Sequence, residues 1–145
     1  MIVSLKVPDT TAITALQTLN KIGFKKINGV KRSDYYKFIT GETAEKFREK
    51  ISKVDLLVNA NKHSCSFSLP KDRYAKILVT NINDDASGLL STLKDRLGFK
   101  NIKKMERSVL WLLSIDADEK EAKKIAQKAA EELLVNENYQ EYNVL

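Results

Sequence analysis

Leu133-Leu134-Val135-Asn136 closes the strongest helical pattern in the chain, and the same four residues occur once before, as Leu56-Leu57-Val58-Asn59. A second echo lies upstream of each copy: Gly23-Phe24-Lys25 and Gly98-Phe99-Lys100. Two echoes in the same order read as one unit written twice. Gly98, Phe99, Ile102, Arg107 and Ser108 each follow Gly23, Phe24, Ile27, Arg32 and Ser33 by the same interval, which lengthens by two residues at the second copy of the tetrapeptide.

Each copy is framed by the same signals. Ile2 to Val7 and Lys76 to Ile82 have the β-branched content of strands. Pro8-Asp9-Thr10-Thr11 and Asn83-Asp84-Asp85, with Ser87, offer helix caps. Leu16, Leu19 and Ile22, then Leu89, Leu93 and Leu97, follow at helical spacing, and Gly23 and Gly98 stop the helices. Phe24 to Ile39 and Phe99 to Asp116 are extended, each as one bent strand or two, with Asn28-Gly29 marking a turn or bulge. A second helix spans about Glu42 to Val54 in the first copy and Asp118 to Leu134 in the second. The latter opens on Asp118 and Glu121, the spacing of a capping box. Ser64 to Leu69 and Tyr139 to Val144 close the copies as short strands.

This order predicts an α+β chain of two tandem ferredoxin-like units, with antiparallel sheets and helices packed on the faces. The units span residues 1–70 and 76–145, with 71–75 as linker. One unit leaves a sheet face bare, which the second is expected to cover.

The chain has 145 residues, 43% of them hydrophobic and 30% charged, the balance of a folded domain. No apolar run approaches the roughly 18 residues of a membrane span, and no secretory signal is visible at the N-terminus. The one cysteine, Cys65, has no internal partner for a disulfide, so a cytoplasmic location is expected. The net charge of +6 lies wholly in the first half. Residues 1–72 carry 13 Lys/Arg against 7 Asp/Glu, whereas residues 73–145 carry 12 of each. Lys25, Lys26, Lys31 and Arg32 form one basic cluster; Lys46, Arg48, Lys50 and Lys53 form another. A solvated surface accounts for them, and a stand-alone module binding RNA or another acidic ligand is the alternative.

Catalytic and metal-binding patterns are missing. His63 and Cys65 have no third ligand, and the chain's 5 glycines form no phosphate-binding loop. The Asp84-Asp85 and Asp116/Asp118 carboxylates sit where helices begin and read as caps. Asn59 and Asn136 read as left-handed C-caps or as amides offered to a partner. Trp111 and Tyr36 align with each other and read as core or sheet-face aromatics. No catalytic residue, metal or cofactor is assigned.

Leu97-Gly98-Phe99, Ile102, Met105 to Ser108, Glu131 to Asn136 and Glu141-Tyr142-Asn143-Val144 together resemble the PurS subunit of phosphoribosylformylglycinamidine synthase. The resemblance runs from about Lys76 to Leu145 and is fainter in the first half, through Ile22-Gly23-Phe24, Ile27, Val30 to Arg32 and Leu56 to Asn59. The family usually carries Gly-Lys after the basic extended segment, whereas this chain has Ser33-Asp34 and Ser108-Val109. The first copy also lacks the Glu-x-Tyr ending. The familiar subunit is a single unit that self-associates, so the tandem reads as a fused dimer. The resemblance implies a non-catalytic subunit of an ATP-dependent, glutamine-using ligase in purine biosynthesis. Its partners would be the synthetase and glutaminase subunits, with Arg32, Asn59, Arg107 and Asn136 as candidate partner contacts.

Overall fold

The computed structural model describes residues 1–72, 74–84 and 86–145. Its two halves repeat one order of elements. The first runs β1 (Ile2–Leu5), α1 (Thr10–Lys21), β2 (Ile27–Thr40), α2 (Ala44–Ile51) and β3 (His63–Ser66). The second runs β4 (Tyr74–Asn81), α3 (Ser87–Asp95), β5 (Ile102–Ile115), α4 (Glu119–Ala129) and β6 (Gln140–Val144). The fold is α+β, as the sequence predicts. Each extended segment is a single 14-residue strand.

The halves join edge to edge. The six strands form one antiparallel sheet in the order β3-β1-β2-β5-β4-β6. The central ladder runs from Ile27 opposite Ile115 to Thr40 opposite Ile102, with a register shift at each end. The shift between Ile27 and Gly29 places the bulge anticipated at Asn28-Gly29. The expectation that one unit covers the other's bare face gives way to this lateral pairing. Strands of 14 residues outrun their own short neighbours, and the overhanging backbone groups need a ladder partner.

The helices pack on one side of the sheet, and they pair across the halves. One core gathers Ala15 and Leu19 of α1 with Ala126 and Ala129 of α4 over Ile27, Ile77, Trp111 and Leu113. The other gathers Phe47 and Ile51 of α2 with Leu93 of α3 over Val3, Tyr36 and Met105. Each core therefore takes one helix from each half. The opposite side of the sheet carries a smaller cluster, Ile2, Leu110 and Leu112, with Tyr35, Tyr74 and Leu78 against it. The run Val109 to Leu113 is apolar on consecutive residues because both of its faces pack.

Local chemistry departs from expectation at several element ends. Asn59 and Asn136 are not left-handed; among the described residues the one non-glycine with positive φ is Ala86, at 53°. Each Asn instead closes an Asx turn, its Oδ1 accepting from the N–H of Asn61 (3.0 Å) or Asn138 (3.2 Å). Ala86, the residue before α3, has no side-chain cap of its own to offer; its N–H donates to Asp84 Oδ1 at 3.0 Å, and Asp85 lies outside the described residues. At α4, Asp118 Oδ1 accepts from the Glu121 N–H at 2.8 Å, but the Glu121 carboxylate turns to Lys26 at 2.6 Å, so only half of the capping box forms. The α-helix ends at Ala129, and a π-turn over Ala130–Leu134 carries the chain to Val135. Strand β4 already includes Tyr74 and Ala75, so residues expected in the linker are sheet.

Candidate functional site

The two-fold relation between the halves has its centre on the helix side of the sheet, between the two cores. There β2 and β5 set Arg32 opposite Trp111, Asp34 opposite Val109 and Tyr36 opposite Arg107. Arg32 and Arg107 flank this centre, separated by four strand positions, roughly 13 Å.

Both arginines are held by aspartates that precede a helix. Asp9 takes Arg32 in a fork, Nε to Oδ2 at 3.0 Å and Nη2 to Oδ1 at 3.3 Å. Asp9 Oδ1 also accepts from the N–H groups of Thr11 and Ala12, capping α1. Asp84 repeats this: its Oδ2 accepts from Arg107 Nε at 3.2 Å and Nη2 at 2.5 Å, and its Oδ1 from the Ala86 N–H at 3.0 Å. The Arg107 guanidinium and the Ala86 amide hold the Asp84 carboxyl below its usual range, and Asp84 in return raises Arg107. Arg32 lies over the Trp111 ring at 5.9 Å. The Tyr36 hydroxyl is pushed up by burial and by the Asp34 charge.

Two further pairs follow the same symmetry on the opposite sheet face. Ser4 and Ser33 hydroxyls meet at 2.7 Å, as do those of Thr80 and Ser108. Each satisfies a serine that is otherwise buried.

Asn59 and Asn136 lie apart from this centre, before the outer strands β3 and β6. The Asn59 N–H donates to His63 Nδ1 at 3.1 Å, and the Asn136 N–H donates to Gln140 Oε1 at 2.9 Å. His63 thus has a structural task that Gln140 performs in the other half. Cys65 stands across from Val3 and packs in the second core, where burial raises its thiol. Of the four contact candidates, Arg32 and Arg107 lie on the two sides of one centre, and Asn59 and Asn136 lie at the sheet's two edges.

A cleft of about 410 Å³ opens beside the centre, between the threonine face of α1 (Thr10, Thr14, Thr18) and Leu133 and Leu134, with Trp111 lining it. The basic clusters are largely engaged. Lys26 pairs with Glu121, Arg32 with Asp9, Lys50 with Glu42 and Lys53 with Glu49, while Lys31 lies over Tyr74 and Arg48 over Phe67. Among the described residues no group of three or more His, Cys, Asp or Glu is placed to hold a metal, and no helix is long and apolar enough to cross a membrane.

The elements from α3 to β6, including Arg107 and Asn136, are those that carry the family pattern. Residues 82–145 match the PurS family, described as phosphoribosylformylglycinamidine (FGAM) synthase. The PurS-like half is thus α3, β5, α4 and β6, and the match begins just after β4. No curated protein matches the chain. Sequence reasoning found the arginines but missed their partners, taking Asp9 and Asp84 as caps alone. The interval that relates Arg32 to Arg107 also relates Asp9 to Asp84, and that was the available signal.

Proposed function

We propose that this protein is a fused, two-unit PurS-like subunit that serves phosphoribosylformylglycinamidine synthase in purine biosynthesis. The match of residues 82–145 to the PurS family carries the reading. The first half supplies the second unit, built on the same order of elements. The protein bridges the synthetase and glutaminase subunits in the cytoplasm and contributes no catalytic group. The Arg32 and Arg107 centre fits an assembly role, because its charges are committed to fixing strand β2 and β5 against helix starts and not to a reacting group.

Affinity capture with the synthetase and glutaminase, in the presence of glutamine and ADP, tests this. The expected result is one complex containing all three chains, weakened by Arg107→Ala. Failure of the three to associate under those conditions would overturn the proposal.

A further inference from the structure

Equivalent positions of β2 and β5 face each other at one place only, Asp34 opposite Val109. This pair sits on the two-fold relation itself. The row through it crosses the whole sheet: Cys65, Val3, Asp34, Val109, Val79 and Tyr142. Asp34 is the one charged residue in that row, and it is exposed between two apolar cores. Among the described residues it forms no ion pair. The nearby Arg107 is already committed to Asp84.

The position gives the carboxylate a consequence. If a first half paired with the first half of another copy in this register, Asp34 would face Asp34. If two second halves paired, Val109 would face Val109. Residues directly opposite across an antiparallel pair have Cα atoms about 4.5–5.5 Å apart, and like charges there are destabilising. The pairing within one chain sets a carboxylate against an apolar side chain and avoids the clash.

We propose that Asp34 selects the partner of β2. It disfavours the β2 strand of a second copy and leaves a long strand with an uncharged residue at the two-fold position, such as β5, as the partner that fits. The inference rests on the register and holds whatever the larger complex is.

The test uses the full chain, with the melting temperature read at low and high NaCl. Val109→Asp recreates the carboxylate pair of a first half facing itself, and Val109→Asn controls for lost apolar contact. At low salt V109D should melt about 2–4 °C below V109N, the upper end of what a like-charged cross-strand pair costs in a chain of this length. The gap should close near 1 M salt, where screening acts within about 3 Å. Adding Asp34→Val should restore V109D to the level of V109N or above. Val109→Lys, opposite in charge to Asp34, should melt at or above V109N at low salt, and it carries the test if V109D does not fold. Equal melting of V109D and V109N at low salt, no rescue by D34V, or V109K melting below V109N would overturn the proposal.

Discussion

The two helix seams over the central ladder follow one plan with opposite materials. On the side of α1 and α4, the buried helix residues are mostly alanine, Ala15, Ala126, Ala129 and Ala130, with Leu19 and Leu134 beside them. Where α2 meets α3, they are Phe47, Ile51 and Leu93 with Phe99. Phe47 there meets Phe38 and Phe99 edge to face, at 5.1 and 6.0 Å between ring centres. Alanine lets helices close on each other but fills little space, and the cleft under Leu133 opens at that seam. Aromatic rings hold helices farther apart and fill what lies between. One backbone plan thus tolerates both solutions, and the cores are expected to fail in different ways.

The largest expected effect is at the aromatic seam. Phe47→Ala should cost about 3–5 kcal/mol, since it removes a buried ring that two other rings contact. Urea unfolding followed by circular dichroism measures it, and a loss under 1 kcal/mol would mean that α2 does not anchor this core.

Enlarging the alanine seam should cost less. Ala129→Leu forces a larger side chain into a fully buried site and should destabilise by about 1–3 kcal/mol. Thr14→Leu, pointed at the cleft, should be nearly neutral by the same assay. Equal penalties for the two would erase the distinction between packed seam and open cleft.

The smallest effect concerns the centre between the seams. Arg107→Gln removes the partner that holds the Asp84 carboxyl low. A carboxyl depressed on folding stabilises above its unfolded value near 3.9 and loses that contribution as the pH falls through its folded one. R107Q should therefore be weaker than wild type at pH 7 by at most about 1 kcal/mol, because the pair is largely exposed. The difference should shrink below pH 4, as followed by urea midpoints across that range.

Much of the fold was legible because the repeat is written in stop signals and buried positions. Gly23 and Gly98 end helices at φ of 115° and 80°, and Leu57, Val58, Leu134 and Val135 are buried as paired equivalents. The joining of the halves was not legible, because a repeat states that two units exist and not which edges meet. The register of β2 and β5 is set by tertiary packing on both strands. The arginine centre was half legible. Charge singled out Arg32 and Arg107, but capping offered a sufficient local reason for Asp9 and Asp84 and hid their second task. Asn59 and Asn136 misled for the same reason: an Asn past a helical pattern suits a left-handed cap or an Asx turn, and both form the Asx turn, Asn59 well beyond the end of α2 at Ile51.

That the halves complete each other is tested most directly by separating them. Residues 1–72 and 73–145, produced apart and then mixed, should regain the circular dichroism and the single cooperative melting transition of the intact chain as a one-to-one complex. Residues 1–72 alone should show no cooperative transition, since α1 and α2 both lack their packing partners from the other half. A cooperatively melting monomer of residues 1–72 would contradict the account.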